Sequence, residues 1–347
     1  MNTPKRALDD EQPSAERPMI LGLLIDVSAS MRTLIVGPGA NGGQQRIESV
    51  RSSMDTLVDK AVGYCTTGTG AVIASRIKLF AFGFGFGNPL SRWTGWNGAE
   101  VQDLLARPGV DEPLLGIDRL ARDWPEHQLH ISSLGWHMFG ATPLLAAFEA
   151  ARDRLHTAHA AEPAADRPVL FVFTDGEPTG SGTPEQITAV ARELVGEGVL
   201  VMCCLLTAEP LGTERRLYAA EQPQWPAAAR LMFACASALD NASPYADYLQ
   251  EHHWQADPGG RLFAAVSNSE DLSTFLNLTL SRLRPPAAAS PTASPVPATP
   301  PAAPAADNSV GGGTFSGPVI QTGYVGSVSI YMTPSQELGQ STPPTGE

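Results

Sequence analysis

The sequence predicts an α/β fold, a Rossmann-like three-layer sandwich with a mostly parallel central sheet and helices on both faces. Three observations support this prediction. Apolar segments of strand length carry large side chains on both faces, as buried parallel strands do. Amphipathic helical segments alternate with them, as in βαβ units. Oxygen-bearing side chains directly follow two of the strands, and ligands bind at the carboxyl ends of strands in such sheets. The predicted strands are 19–27, 72–84, 168–174, 199–206 and 261–266.

The segments between these strands predict the helices. Residues 44–64 carry apolar side chains at helical spacing. Thr142 precedes Pro143 and is predicted to be the N-cap of the next helix. Further helices are expected at 99–107, at 114–124, after a cap at Ser181 or Thr183, around 225–239 and 245–254, and at 271–283 with Ser269 as its cap.

Composition divides the chain into segments. Residues 1–17 are polar and are expected to be a flexible extension, and residues 18–284 form the α/β domain, with 208–260 as an elaborated last crossover. Residues 285–308 are rich in Pro and Ala and cannot bury enough apolar surface to fold, so they are a linker. Residues 309–333 form a β-prone tail, and 334–347 a disordered C-terminus.

Charge and hydropathy exclude several classes of partner. The chain of 347 residues has a formal net charge of −13, which repels a nucleic-acid backbone and an anionic membrane surface. No apolar run is long enough to span a bilayer, and the N-terminal segment does not resemble a signal peptide. We therefore expect a cytoplasmic protein.

The cysteine usage agrees with that compartment. Of the four cysteines, Cys203 and Cys204 are adjacent in an apolar strand, so their side chains point to opposite faces of the sheet. All four are expected to be buried and reduced.

A motif at the end of the first strand is the strongest candidate for a functional site. Asp26, Ser28 and Ser30 place a carboxylate and two hydroxyls within five residues. Oxygen ligands of this kind suit a hard cation such as Mg²⁺. Taken alone, the motif is equally typical of a polar turn between a strand and a helix.

Two later motifs favour the cation. Thr142 lies in Gly-Ala-Thr-Pro-Leu, and Asp175 lies in Phe-Thr-Asp-Gly-Glu-Pro-Thr directly after a buried strand. Together with Asp26-Val-Ser-Ala-Ser, these motifs resemble the metal-ion-dependent adhesion site (MIDAS) of the von Willebrand factor A (vWA) domain. The chain looks most like the bacterial stand-alone vWA proteins related to the tellurite-resistance group, over roughly residues 18–284.

The resemblance implies roles for the five residues. Ser28 and Ser30 would be direct metal ligands, Thr142 would bind directly or through water, and Asp26 and Asp175 would act as outer carboxylates. The cation would be Mg²⁺, with Mn²⁺ or Ca²⁺ as alternatives. A partner protein would complete its coordination shell with an Asp or Glu side chain.

The sequence therefore predicts a metal-dependent protein–protein interaction module of a bacterial signalling, stress or defence system, and not an enzyme. One alternative is a scaffold that acts mainly through the 309–333 tail, which could bind a second partner. The other is a metal-dependent hydrolase, for which Glu177 is the only obvious additional carboxylate.

Overall fold

The fold was analysed in a computed structural model that describes residues 17–35, 44–67, 70, 72, 76–87, 101–106, 112–133, 140–179, 182–208, 211–212, 215–239 and 245–283. All of them belong to one compact unit, Met1–Ser290. The predictions for residues 1–16, for the linker and for the β-prone tail lie outside the described ranges.

The central sheet confirms the predicted α/β class. Its strands are β1 (Met19–Asp26), β4 (Ile77–Phe84), β5 (Val101–Asp103), β6 (Leu115–Gly116), β7 (Val169–Thr174), β8 (Leu200–Leu206) and β11 (Phe263–Val266). They follow the order β11-β8-β7-β1-β4-β5, and β6 also pairs with β4. The first five strands of this order are parallel, whereas β5 and β6 run antiparallel to β4.

Two short ribbons lie apart from this sheet. They pair β2 (Leu34–Ile35) with β3 (Gln44–Gln45), and β9 (Arg216–Leu217) with β10 (Gln255–Ala256).

Helices cover both faces of the sheet. The first face carries α1 (Arg46–Cys65), α2 (Ile117–Ser133), α6 (Tyr245–Glu251) and α7 (Ser269–Asn277). The second face carries α3 (Leu144–Ala161), α4 (Pro184–Gly196) and α5 (Ala227–Cys235). Two 3-10 turns, Ala29–Arg32 and Leu278–Leu283, complete the described elements. None of the described helices is long and apolar enough to cross a membrane.

The central strand β1 is buried along its whole length because both faces are covered. Leu23 and Ile25 belong to the core on the first face, and Ile20 and Leu24 belong to the core on the second. Gly22 leaves room for a neighbouring ring, since an added Cβ would lie 2.3 Å from Cζ of Phe80. This arrangement follows the period of two that the sequence predicts for a buried strand.

The cysteines follow the same geometry. Cys203 packs in the core on one face and Cys204 in the core on the other, and all four cysteines are buried and free. Burial raises the pKa of Cys65 to about 11 and that of Cys235 to about 12. These thiols therefore stay protonated and serve as small apolar side chains.

Two helix predictions were wrong in position or type. Residues 99–107 were predicted to be a helix, but Val101–Asp103 is a strand, because the outer edge of β4 offers it backbone hydrogen bonds. The helix predicted at 114–124 begins at Ile117, after the short strand β6, and continues to Ser133.

The predicted helix caps were correct at one of three positions. Thr183 caps α4, where it exchanges hydrogen bonds with Gln186 in a capping box. Asn268, not Ser269, caps α7, because its side chain accepts a hydrogen bond from the backbone of Asp271. Pro143, not Thr142, occupies the N-cap of α3.

Leucine-to-alanine substitutions test the assignment of the core. We expect Leu24→Ala, at a fully buried position of β1, to lower the free energy of unfolding by about 2–5 kcal/mol, because a cavity forms where the sheet meets the helices. Urea denaturation measures this change.

Leu129→Ala is the matched control, because Leu129 is 73% exposed on α2. It should shift the free energy of unfolding by no more than about 0.5 kcal/mol. Equal losses in the two variants would contradict the assignment of Leu24 to the core.

Candidate metal site

The site begins where the two central parallel strands end. Asp26 is the last residue of β1 and Thr174 is the last residue of β7, and their preceding residues are partners in the sheet register. Thr174 Oγ1 donates a hydrogen bond to Asp26 Oδ2 at 2.7 Å, and the backbone N–H of Ser28 donates to Asp26 Oδ1 at 2.8 Å. The carboxylate of Asp26 therefore joins the two strand ends and holds the turn that carries the serines.

Asp26 is fully buried, and its electrostatic environment is unfavourable for a negative charge. Burial, together with the negative charge of Asp175, outweighs the lowering effect of the hydrogen bonds from Ser28 and Thr174 and raises the pKa of Asp26 to about 6. A bound cation would offset this unfavourable environment.

The serine hydroxyls connect Asp26's turn to the second carboxylate. Ser30 Oγ donates to Asp175 Oδ1 at 2.6 Å, and Ser28 Oγ lies 2.9 Å from Ser30 Oγ. Ser28 is buried and Ser30 is exposed, so this chain of hydroxyls runs from the core to the surface of the sheet edge.

Thr142 lies at the same edge, and backbone contacts hold it there. Its N–H donates to Thr179 Oγ1 at 2.9 Å, and its carbonyl accepts from the N–H of Thr179 at 3.2 Å. These two bonds tie the Thr142 loop to the loop after Asp175, and Pro143 occupies the N-cap of α3. The Thr142 hydroxyl makes no hydrogen bond with any residue in the described ranges.

Glycine allows the loop that carries Thr142 to approach the Ser28 turn. Gly85 has φ +92°, and a Cβ at this position would lie 2.7 Å from the carbonyl oxygen of Ala141 and 3.0 Å from the backbone nitrogen of Ser28. Any side chain at Gly85 would therefore push these two loops apart. The structure thus brings all five predicted residues to one edge, and hydrogen bonds directly link four of them: Asp26, Ser28, Ser30 and Asp175.

Sequence reasoning missed three contributors to the site. Thr174 and Thr179 orient Asp26 and Thr142, as described above. The third is Arg46, the first residue of α1, whose Nη1 donates to Asp175 Oδ2 at 2.5 Å. The position of Arg46 could have indicated this contact from the sequence. A positively charged side chain in the first turn of a helix opposes the helix dipole and is therefore expected to need a carboxylate partner.

The donor set fits a hard divalent cation. All predicted ligands are oxygens, and two carboxylates with one guanidinium leave a net charge of −1 for a dication to neutralise. The 2.9 Å between the serine oxygens is also about the separation of adjacent ligands around octahedral Mg²⁺, whose bonds are about 2.0–2.1 Å. Across the described ranges no group of three or more His, Cys, Asp or Glu side chains is placed to hold a metal.

A surface groove lies beside this edge of the sheet. It has a volume of about 470 Å³ and runs between α4 and α5. Glu177 and Pro178, which follow Asp175 in the chain, form part of its wall. Leu231 gives it an apolar surface, and Arg192 and Arg230 contribute positive charge.

Comparisons with known proteins do not identify a family. No protein-family model and no curated protein matches the chain. Among solved structures, it is similar to the pilus adhesin SpaC from Lactobacillus rhamnosus GG, with a TM-score of 0.47 and 13% identity, over 79% of this chain and 31% of that chain. It is also similar to the SpRpn10 VWA domain, with a TM-score of 0.43 and 11% identity, over 75% of this chain and 94% of that one.

A third similar structure is the manganese-loaded Plasmodium vivax TRAP protein, with a TM-score of 0.34 and 16% identity, over 55% of this chain and 57% of that chain. The chain thus spans about a third of the length of SpaC. At these identities and TM-scores, the assignment of the fold rests on the sheet order and helix layers of the chain itself.

The raised pKa of Asp26 predicts a pH dependence of stability in metal-free buffer. The folded-state pKa of about 6 lies above the ordinary aspartate pKa of 3.8, so this group contributes its stability below about pH 4 and loses it as the pH rises through 6. The free energy of unfolding of the wild type should therefore fall between pH 4 and 7, relative to Asp26→Asn, by about 3 kcal/mol at most.

Urea denaturation of both proteins across this pH range measures the difference. The Asn variant serves as the reference because every other titrating group is common to the two chains. Parallel pH profiles would show that burial does not perturb Asp26.

Proposed function

We propose that this chain is a vWA-type, metal-dependent protein–protein interaction module. A divalent cation, Mg²⁺ with Mn²⁺ or Ca²⁺ as alternatives, binds at the carboxyl edge of the sheet. A partner protein's Asp or Glu carboxylate then binds to this cation. The observation that carries the proposal is the hydrogen-bonded chain from Asp26 through Ser28 and Ser30 to Asp175, which joins the ends of two parallel strands.

The hydrogen bonds support different roles for hydroxyls and carboxylates. Both oxygens of Asp26 accept hydrogen bonds, from Ser28 N and from Thr174, and both oxygens of Asp175 accept from Ser30 and Arg46. The carboxylates therefore orient the site, while Ser28, Ser30 and Thr142 are the residues that would hold the ion. When bound, the ion supplies a Lewis-acidic centre that neutral hydroxyl ligands leave attractive to a partner's carboxylate.

The same hydrogen bonds favour binding over catalysis. A general base must lie within hydrogen-bond reach of the proton that it removes and must be able to turn toward it. Asp26 and Asp175 use both of their oxygens to hold protein groups, and Glu177 is an exposed residue of the groove wall. The proposal therefore includes no enzymatic activity.

The groove of about 470 Å³ between α4 and α5 extends the proposed contact surface. Its wall begins two residues after Asp175, so a partner segment bound there would pass close to the cation.

The sequence motifs resemble those of bacterial stand-alone vWA proteins related to the tellurite-resistance group. On this basis the module belongs to a cytoplasmic signalling, stress or defence system of several proteins.

Removal of the serine hydroxyls tests whether the site binds the cation. We expect the double variant Ser28→Ala, Ser30→Ala to lower the affinity for Mg²⁺ by at least about tenfold, since two direct ligands are lost. Isothermal titration of MgCl₂ into the metal-free full chain measures this affinity. Ser52→Ala is the control, because Ser52 is exposed on α1, and it should leave the affinity unchanged. Equal affinities in the three proteins would contradict the predicted ligands.

Partner capture tests whether the cation mediates binding. We expect the immobilised full chain to retain a partner protein in Mg²⁺, to release it in EDTA, and to capture it again when Mg²⁺ is restored. Mass spectrometry of the eluates identifies the partner, and Asp26→Asn should capture at least about tenfold less of it, because the turn that carries the serines loses its charged acceptor. A partner that stays bound in EDTA and on Asp26→Asn would contradict metal-mediated binding.

A further inference from the structure

Arg46 places a positive charge inside the candidate cation site. Its Nη1 lies 2.5 Å from Asp175 Oδ2. The Asp175 side chain is fully buried, and the Arg46 side chain is 11% exposed. A guanidinium and a carboxylate in contact away from water form a charge-assisted hydrogen bond that is stronger than one between neutral groups. Asp175 is thus already paired with a cation that belongs to the protein.

The backbone holds Arg46 in this position. Its N–H donates to the carbonyl of Thr33 at 3.0 Å, and the N–H of Thr33 donates to the carbonyl of Ser30 at 2.9 Å. The start of α1 is therefore fastened to the turn that carries the serines. Arg46 cannot move away from Asp175 by helix displacement without disturbing Ser30.

The local cost of this arrangement indicates that Arg46 has a role at the site. A positive charge in the first turn of a helix opposes the helix dipole. The Nε of Arg46 is buried and has no hydrogen-bond partner among the described residues, which is a further unfavourable feature. An apolar side chain at this position could fill the same space without these costs. We therefore look for a role of the positive charge of Arg46 at the site.

The charge acts against a divalent cation. Asp26 and Asp175 contribute −2 and Arg46 contributes +1. A dication at the serine hydroxyls would be attracted by the two carboxylates and repelled by the guanidinium. It would also compete with Arg46 for the negative charge of Asp175, whose Oδ1 orients Ser30 and whose Oδ2 holds the guanidinium.

We propose that Arg46 is a built-in competitor of the divalent cation, and that it holds the cation affinity of the site below the value that the oxygen ligands alone would give. This inference rests on the proposed cation site and concerns its regulation. The site then fills only when the free cation concentration, or the added carboxylate of a partner, outweighs the internal ion pair.

Neutral replacements of Arg46 test the proposal. Isothermal titration of MgCl₂ into the metal-free full chain should show at least tenfold tighter binding for Arg46→Gln than for the wild type. Arg46→Lys retains the positive charge and should bind within threefold of the wild type. Arg51→Gln is the control, because Arg51 lies on the same helix and pairs with Glu48 at the surface, and its affinity should not change.

A second variant covers the case in which Arg46→Gln does not fold. Arg46→Met keeps the aliphatic stem and removes the charge, and it should also bind Mg²⁺ at least tenfold more tightly. Far-UV circular dichroism in metal-free buffer establishes that each variant is folded. A larger rise in melting temperature with MgCl₂ for the neutral variants than for the wild type provides an independent readout.

The outcomes distinguish this inference from the proposed function. If the wild type binds Mg²⁺ and the neutral variants bind it equally or more weakly, Arg46 does not compete with the cation and the inference is overturned. If only the neutral variants bind, the inference holds in its strongest form. If none of the proteins binds Mg²⁺, Mn²⁺ or Ca²⁺, the cation site itself is wrong.

Discussion

The arrangement of this site depends on one buried carboxylate, that of Asp26. Strand β1 pairs with a parallel neighbour on each side, so its last residue lies at the centre of the sheet edge. A charge at this depth is tolerated only if it is hydrogen-bonded. The bonds from Ser28 and Thr174 meet this requirement, and they join the end of β1 to the end of β7. The turn of the serines and the position of Asp175 follow from that connection.

The distribution of charge and hydroxyl groups explains how the site could serve binding. Each oxygen of Asp26 and of Asp175 already accepts a hydrogen bond from a protein group, so the hydroxyls of Ser28, Ser30 and Thr142 would be the oxygens that contact an ion. Neutral ligands leave a dication with most of its charge unbalanced, and a partner's carboxylate can then add to it. In the proposed competition, Arg46 also affects the cation affinity of the site, because its positive charge reduces the negative charge that remains for the ion to neutralise.

Several features could not be predicted because they depend on residues far apart in the chain. Val101–Asp103 became a strand because the edge of β4 was available for pairing, which local propensity does not report. Thr142 lies one residue before the N-cap of α3, and its backbone N–H and carbonyl bind Thr179, which is 37 residues away. Arg46 and Asp175 are 129 residues apart, and only the helix-dipole argument could have suggested that Arg46 needed a carboxylate.

The sequence by itself determined the fold class and the edge of the sheet that carries the site. Buried strands alternate with amphipathic helices, and the carboxyl ends of parallel strands meet at one edge, so Asp26 and Asp175 had to lie at the same edge of the sheet. Only the tertiary structure decided which side chains of the site form hydrogen bonds and ion pairs with one another. The packing of separate helices and strands decides which side chains form hydrogen bonds at the site and which charged groups meet there. Strand periodicity and motif spacing do not specify this packing, and they therefore could not reveal that a guanidinium of the protein already pairs with Asp175.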